Sequence, residues 1–430
     1  MNSGDTAWIL ISIALALLMT PGVAFFYAGL VRETSAVNTL KMSLIAMGVI
    51  AIEWALFGYS FAFSEGSSLL GGLDHVGLKG VGIEPDAELA PNIPHLAFMA
   101  FQMMFAIIAP ALISGAVVGR MSFKAYVLFI LGWSVVVYNP VAHWVWGAEG
   151  WIGELGALDF AGGTVVHVSA GVSALVAAWI LGPTRPDGAV IDAHEDTPHN
   201  VPLVVLGASL LWFGWFGFNS GSALAADGIA ANALVTTMLS AAASVVTWVA
   251  IDVSRGRKPG AVGACVAAVV GLVAITPAAG FVDPLASIVI GAIATGTSYL
   301  AVNALRYTKL DDTLDVFACH GLGGIVGALL TGVFATTAVN PDGRDGLMSG
   351  GAELVLIQLV SVAATAAWAA AGTGAVLYLI SRFTNLRAPD STLGRGIDLI
   401  EHAESAYVLE PSMNQILKQR IASLLDDAKA

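Results

Sequence analysis

The sequence predicts an all-α polytopic membrane protein, and three observations lead to this fold class. Hydrophobic residues make up 57% of the 430 residues, and the mean hydropathy is +0.80. Charged residues make up only 11%, whereas a soluble globular chain carries about 25%. The apolar residues also form long continuous runs, which is typical of membrane helices and not of barrel strands, where apolar residues alternate. The net charge of −13 therefore belongs to loops and tail, and it does not indicate binding to nucleic acid.

Eleven apolar runs are long enough to span a bilayer when they are scanned with a window of about 19 residues. They are 6–31, 38–63, 95–118, 123–146, 162–182, 202–224, 230–251, 259–278, 281–305, 316–338 and 351–381. The first run has no basic segment before it and is too long for a signal peptide, so we expect it to be retained as a membrane helix.

The first ten runs divide into two blocks of five, about 6–182 and 202–338, and the long eleventh helix 351–381 follows them. Because five is an odd number, the second block enters the membrane in the opposite direction. We therefore predict two inverted five-helix repeats, an arrangement that places equivalent residues near the membrane midplane, where transport sites form.

The positive residues orient the chain. Ten of them lie in loops after odd-numbered runs, whereas the loops after even-numbered runs hold only Lys79 and Arg344. Because positive residues are enriched in cytoplasmic loops, we predict an outside N-terminus and a cytoplasmic C-terminus. Residues 1–381 then form the transmembrane domain, and residues 382–430 form a cytoplasmic regulatory tail. The ten are Arg32, Lys41, Arg120, Lys124, Arg185, Arg255, Arg257, Lys258, Arg306 and Lys309.

The loop 63–94 on the outer side is acidic. It contains Glu65, Asp74, Glu84, Asp86 and Glu88 against a single Lys79. A negative outer vestibule would raise the local concentration of a cation. Loops also carry charge simply to be solvated, so both interpretations stay open.

The fifth and tenth runs share one plan. Asp159 precedes His167 by eight residues, and Asp312 precedes His320 by the same eight. Each histidine is followed by small residues, in HVSAGVSA and HGLGGIVGA, which let membrane helices approach closely. We therefore expect the two histidines to face each other across one pathway.

A histidine inside a membrane span indicates function, because an unpaired polar group in hydrocarbon is costly. A neutral imidazole donates or accepts a hydrogen bond at either nitrogen and titrates near neutrality. A metal site is the competing use of two histidines, but it needs further ligands nearby. Asp159 lies about two helical turns from His167, so we expect a pore and no metal or other cofactor.

Four of the carboxylates in or beside the apolar runs are candidates for a structural role. Asp159 is expected to cap the N-terminus of the fifth helix, and direct coordination of a cation by this residue stays an alternative. The same cap is expected from Asp312 and Asp315 at the cytoplasmic start of the tenth helix. Glu53 is expected to pair across helices or subunits.

Five motifs carry a resemblance to a known family. They are FQMMF (101–105), VWG (145–147), DFAGGTVVHVSAG (159–171), GWFGFNSGSA (214–223) and DVFACHGLGGIVG (315–327). With these motifs in this order, the sequence resembles the ammonium transporters of the Amt family, within the Amt/Mep/Rh superfamily, over nearly the whole chain. The resemblance implies a multi-pass plasma-membrane protein that is not an enzyme, and no catalytic nucleophile accompanies the histidines.

The resemblance implies that Trp146, Phe105 and Ser222 form an outer recruitment site for ammonium. The physics agrees, because an aromatic face attracts a cation by about 0.5–2 kcal/mol and a hydroxyl accepts an N–H bond. Considered alone, Trp146 could equally be an ordinary tryptophan at the membrane interface.

Below that site the resemblance implies a gate and a pore. Phe105 and Phe218 correspond to a stacked phenyl gate. His167 and His320 correspond to the twin histidines of the family, and Trp215 is expected to line the pore beside them.

The segment GRGIDLIEHAESAY (394–407) resembles the family's cytoplasmic tail pattern. The residues that fit are Gly396, Asp398, His402, Ala406 and Tyr407. The resemblance implies a homotrimer whose tails pack against cytoplasmic loops and couple subunits, with a P-II signalling protein as a possible partner nearby.

The function that we expect is uptake of ammonium across the cytoplasmic membrane. Ammonium is recruited outside and loses a proton, and ammonia then crosses an apolar pore past the histidines. The alternatives are an ammonium sensor that signals through the tail and a passive Rh-like gas channel. The sequence does not decide between electrogenic transport and passive conduction.

Overall fold

A computed structural model describes residues 1–184, 197–389, 392 and 396–407. The described secondary structure is helical apart from four short strands, which confirms the predicted class of all-helical polytopic membrane protein. Arg185 and the tail beyond residue 407, on which sequence predictions were also made, lie outside the described residues.

We number the main helices of the described chain in order. They are α1 (Ser3–Leu30), α2 (Glu33–Phe63), α3 (His95–Val117), α4 (Phe123–Glu154), α5 (Gly163–Leu181), α6 (Val201–Ser220), α7 (Gly228–Ser254), α8 (Ala261–Ile275), α9 (Pro284–Leu305), α10 (Phe317–Phe334), α11 (Glu353–Ser381) and α12 (Ile397–His402). All of these except α8 and α12 are long and apolar enough to cross a membrane, which makes ten candidate spans in the described chain.

Helix α8 is shorter than the run 259–278 predicts, so length and composition identify ten candidate spans in the described chain, and the eleventh span stays a prediction. Its 15 residues reach about 22 Å, whereas the hydrocarbon core of a bilayer is about 30 Å thick. After Ile275 the backbone turns, and the N–H of Ala278 donates to the Ile275 carbonyl at 2.9 Å. Apolar composition does not reveal this turn, because residues 267–275 and the turn itself are buried against other helices.

Helices α5 and α10 cross in direct backbone contact, and glycines make the crossing possible. A Cβ atom on Gly171 would overlap the backbone nitrogen of Gly321. A Cβ atom on Gly324 would lie 2.7 Å from the Gly163 carbonyl oxygen and 3.0 Å from the Cβ of His167. The small residues predicted to allow close approach therefore lie at the contact itself.

Five helices contain a π-helical turn, in which one extra residue is accommodated. The turns are Trp54–Gly58 in α2, Ser134–Tyr138 in α4, Gly163–Val168 in α5, Phe216–Ser220 in α6 and Phe317–Gly321 in α10. Such turns are frequent at functional sites. Three of them carry residues that the sequence singles out, namely His167, Phe218 and His320.

The bundle has two ends, which we call the loop face and the tail face. The loop face carries two antiparallel hairpins, β1 (Gly66–Ser67) with β2 (Leu70–Gly71) and β3 (Pro85–Asp86) with β4 (Ala90–Pro94). The tail face carries the segment after α11, which forms a β-bridge between Arg387 and Met121.

Candidate functional site

A cavity of about 250 Å³ opens on the loop face. Its lining includes Phe101, Gln102, Phe105, Trp146 and Ser222. The three residues expected to recruit a cation, Phe105, Trp146 and Ser222, therefore meet in one place although they come from distant parts of the chain. The cavity combines aromatic faces with a few polar side chains.

Hydrogen bonds orient the polar atoms around this cavity. The indole N–H of Trp146 donates to the Asp159 carbonyl at 2.9 Å, which holds its ring at 5.7 Å and edge-on to Phe105. Ser222 lies in a turn beyond the end of α6, although the predicted run 202–224 includes it, and its hydroxyl donates to the Phe218 carbonyl at 2.9 Å. Because that bond uses the only hydroxyl proton, the oxygen remains an acceptor.

Two phenyl rings close the inner end of the cavity. The centroids of Phe105 and Phe218 lie 4.0 Å apart with 22° between the ring planes, and each side chain is 1% exposed. The two rings are stacked too closely to leave space for a water molecule between them.

The two membrane histidines meet directly behind the phenyl pair. The ring of His167 lies 6.4 Å from that of Phe218 and 5.3 Å from that of His320. The Nδ1 atoms of the two imidazoles are 3.3 Å apart, so one ring donates a proton and the other accepts it. The Nε2 atom of His167 is buried and has no hydrogen-bond partner among the described residues. It is therefore available to a small polar molecule in the passage.

Trp215 lies against this pair. Its ring is nearly parallel to that of His167, at 5.4 Å and 20°, and its indole N–H donates to the hydroxyl of Thr276 at 2.9 Å. Sequence reasoning missed Thr276, because a single threonine next to Pro277 carries no local signal of this contact.

Asp159 lies at the N-terminus of α5, and donors of its own chain surround its carboxylate. It accepts the backbone N–H groups of Gly162 (3.1 Å), Thr164 (2.9 Å), Val165 (3.1 Å) and Gly163, together with the hydroxyl of Thr164. A carboxylate offers about four lone-pair sites. None is therefore left for a substrate cation in this arrangement.

At the start of α10 only one of the two expected caps forms. The carboxylate of Asp312 accepts the N–H groups of Val316 (3.0 Å) and Phe317 (2.7 Å). Asp315 instead has a left-handed backbone, with φ 55°, and its carboxylate accepts no hydrogen bond from the described residues. The expected cap at Asp315 is thus corrected: this residue provides the turn into the helix, which Asp tolerates better than most residues.

Glu53 pairs across helices inside one chain. Its carboxylate accepts the side-chain N–H of Asn139 at 2.8 Å and the hydroxyl of Ser134 at 3.1 Å, joining α2 to α4. Of the two expected roles, pairing between helices and pairing between subunits, this geometry corresponds to the pairing between helices.

Gln102 is a cavity residue that sequence reasoning did not single out. Its Oε1 atom is buried and has no partner among the described residues, and the side chain lines the same cavity as Trp146. The sequence did contain a signal for this residue, because Gln102 is the only polar residue of the motif FQMMF.

The tail segment docks on the N-terminus of α2. The carboxylate of Asp398 accepts the N–H groups of Val37 (2.9 Å) and Asn38 (2.8 Å). The Nε2 atom of His402 bonds to the Asn38 side-chain oxygen at 2.9 Å, and its imidazole packs edge-on against Phe123 at 4.9 Å. Four of the five tail residues predicted from the sequence make docking contacts: Asp398 and His402 here, and Gly396 and Tyr407 at the two ends of the segment.

Gly396 and Tyr407 bracket this docked segment. Gly396 has φ 85°, and a Cβ atom there would lie 2.5 Å from the Cβ of Thr34. The hydroxyl of Tyr407 bonds to the imidazole of His199 (2.9 Å) and to the side-chain N–H of Asn200 (3.0 Å), at the start of α6. The tail therefore connects the ends of α2 and α6.

Comparison with known proteins gives matches over nearly the whole chain. A family model described as the Ammonium Transporter Family matches residues 7–407. An ammonium transporter of Bacillus subtilis is 47% identical over 408 residues, covering 95% of this chain and 99% of that protein. The ammonium transporter Amt1 of Archaeoglobus fulgidus is 43% identical, covering 95% of this chain and 100% of that protein. Among solved structures, Candida albicans Mep2 is similar with a TM-score of 0.85 at 36% identity, covering 91% of this chain and 87% of that chain.

Proposed function

This chain belongs to the Ammonium Transporter Family and is a multi-pass protein of the plasma membrane, and we propose that it takes up ammonium by conducting ammonia through one pore in each subunit. One observation above all supports the proposal. Ring contacts lead without interruption from Trp146, across the Phe105–Phe218 pair, to His167 and His320.

Recruitment is the first step. Ammonium enters the loop-face cavity, where the faces of Phe105 and Trp146 attract its charge and the Ser222 oxygen accepts one of its N–H bonds. The cavity suits a small cation with several donors, because the hydroxyl oxygen of Ser222 and the amide oxygen of Gln102 are acceptors.

Deprotonation follows at or below the phenyl pair, and the proton is released either back to the water of the loop-face cavity or along a separate route to the other side of the membrane. A charged side chain at the centre of a bilayer costs about 2.5–3.5 kcal/mol even on lenient scales, and the stacked rings of Phe105 and Phe218 offer no atom that replaces the water around ammonium. Neutral ammonia avoids this cost. The pair therefore separates a cation site from a passage for a neutral molecule.

The twin histidines then guide ammonia. The proton shared between their Nδ1 atoms holds the two rings together, and the free Nε2 atom of His167 provides a hydrogen-bond partner for the passing molecule. Asp159, saturated by its own helix, positions α5 and contributes its charge from a distance.

The wider architecture completes the proposal. We count α8 as an eleventh span within two inverted five-helix repeats, with the loop face outside and the tail face in the cytoplasm. Residues 1–381 then form the transporter, and residues 382–430 form a regulatory tail. The assembly is a homotrimer, and the tail face is where a P-II protein would dock. The curated relatives named above are transporters, which favours transport over a sensor role.

Flux and current in proteoliposomes test the proposal. His167→Ala and His320→Ala each remove one ring of the pair and are expected to lose most of the ammonia flux, whereas the control His75→Ala, on the loop face, keeps it. Flux accompanied by current indicates electrogenic transport, and flux without current indicates a passive channel.

Thermal unfolding of each variant shows whether it is folded, and His167→Gln, which keeps a polar side chain in the same place, serves if the alanine variant is not. Unchanged flux in both folded histidine variants would contradict the pore assignment.

A further inference from the structure

The acidic residue Glu88 lies on the rim of the loop-face cavity. It lines the same space as Phe105, Trp146 and Ser222. Its side chain is exposed, and its carboxylate forms no hydrogen bond or ion pair with any described residue. A full negative charge without a counter-charge thus borders a cavity whose walls attract cations.

A tight turn holds Glu88 in this position. The carboxylate of Asp86 accepts the backbone N–H groups of Glu88 (3.0 Å) and Leu89 (2.8 Å), and the β3–β4 hairpin closes the turn. The other carboxylate oxygen of Asp86 lies 3.9 Å from Nδ1 of His95, the first residue of α3. The turn is therefore fastened to the helix that also carries Phe101, Gln102 and Phe105.

Asp86 remains ionised in this role. Burial by itself would raise the pKa of its carboxyl, but the N–H donors of Leu89 and Glu88 and the neighbouring imidazoles outweigh burial and hold the pKa below its usual value. An ionised carboxylate is the stronger acceptor for the two N–H groups that shape the turn.

A second observation points to a ligand in the same cavity. The Oε1 atom of Gln102 is buried there without any donor among the described residues, although buried acceptors in proteins nearly always have one. An uncompensated carboxylate, a free amide oxygen and aromatic faces together suit a small cation that carries several N–H donors.

We propose that Glu88 is a cation-capturing residue of the recruitment cavity, whose carboxylate attracts the ammonium cation at the rim while Gln102 accepts one of its N–H bonds deeper inside. This inference rests on the function proposed above. Glu88 acts on capture of the cation, before the phenyl pair, and therefore on KM rather than on the maximal rate. Because its charge is exposed, its influence weakens as salt shortens the Debye length.

Initial uptake rates in proteoliposomes, measured against external ammonium concentration at low and high ionic strength, test the assignment. Glu88→Gln is expected to raise KM by about three- to tenfold at low ionic strength, with little change in the maximal rate, and the difference from wild type shrinks at high salt. Glu84→Gln removes the same charge from the same loop, but Glu84 does not line the cavity, so its KM stays that of wild type.

Trp146→Leu distinguishes a failure of the Glu88 inference from a failure of the proposed aromatic recruitment. If Trp146→Leu raises KM while Glu88→Gln behaves like Glu84→Gln, the role of Glu88 is overturned and the aromatic site stands. If Trp146→Leu leaves KM unchanged, the proposed aromatic recruitment fails, and Glu88 is then judged by its own KM and salt dependence. A lower maximal rate with unchanged KM in Glu88→Gln also overturns the inference. Glu88→Asp, which keeps the charge, is expected to recover most of the wild-type KM.

Discussion

Single residues in the pathway depend on partners that lie far away in the sequence. Trp215 keeps its ring against His167 because its indole N–H is held by the hydroxyl of Thr276, 61 residues further along the chain. Asp159, by contrast, takes all its donors from the next six residues. Local partners of this kind can be expected from a capping pattern, and distant ones cannot.

Thr276→Val is expected to destabilise the protein and to reduce ammonia flux. The change leaves the buried indole N–H of Trp215 without an acceptor, which costs about 1–3 kcal/mol, and frees the ring to leave His167. Thr373→Val is the matched control, because the Thr373 hydroxyl is buried and has no partner among the described residues. Thermal unfolding and flux are measured for both variants, and equal behaviour of the two would refute the positioning role of Thr276.

At the scale of elements, the crossing of α5 and α10 determines where the histidines meet. The two helices touch at Gly171 and Gly321, where no side chain fits. The same eight-residue spacing from Asp to His in both helices then brings the imidazoles to one level. Close packing of small residues therefore sets the geometry of the pair.

Gly171→Ala is expected to destabilise the fold by about 3 kcal/mol or more, because its methyl group overlaps backbone atoms that cannot rotate away. Gly374→Ala provides the control, since a Cβ there meets nothing within 4 Å and alanine stabilises a helix by about 0.5–1 kcal/mol relative to glycine. Thermal unfolding in detergent measures the stability of both variants. A Gly171→Ala protein as stable as Gly374→Ala would show that the helices do not cross this closely.

Docking of the tail is expected to depend on pH through His402. Burial, and to a smaller extent the Lys41 ammonium, lower the pKa of this imidazole below its usual value, against the opposing effect of Asp398, Glu401 and Glu404. The docked state thus favours neutral His402. Docking is therefore strongest above the undocked pKa of about 6.5 and weakens as the pH falls through that value.

Hydrogen exchange of residues 397–403 at pH 7.5 and pH 5.5, corrected for intrinsic exchange rates, measures this effect. His402→Gln keeps a side-chain N–H donor but cannot titrate, and the carboxylate of Asp398 is common to both proteins. The difference between wild type and His402→Gln is expected to appear only at the lower pH. The same response in both proteins would rule out His402 as the titrating group.

At the scale of the whole molecule, the proposed orientation can be tested on its two faces. Ser68 on the loop face and Ser405 on the tail face are both exposed. In a protein whose native Cys265 and Cys319 are replaced by alanine, Ser68→Cys is expected to react with a membrane-impermeant maleimide in intact cells. Ser405→Cys is expected to react only after permeabilisation, and labelling of Ser405→Cys in intact cells would reverse the topology.

The membrane class, the family and the important histidines follow from the sequence alone, because each depends on composition or on contiguous motifs. Long apolar runs must become helices in a bilayer, where every backbone hydrogen bond has to be satisfied internally. The equal spacing of Asp159–His167 and Asp312–His320 likewise predicts that the two histidines face each other. The structure places their Nδ1 atoms 3.3 Å apart.

Only the tertiary structure determined the features that depend on contacts between distant segments or on turns of the backbone. The shortness of α8, the left-handed turn at Asp315, the Thr276 contact and the position of Glu88 on the cavity rim are invisible to hydropathy, since each depends on packing between segments or on one dihedral angle. Sequence patterns report the period of a helix and the chemistry of its residues, whereas a binding cavity exists only once several helices and a loop enclose the same space.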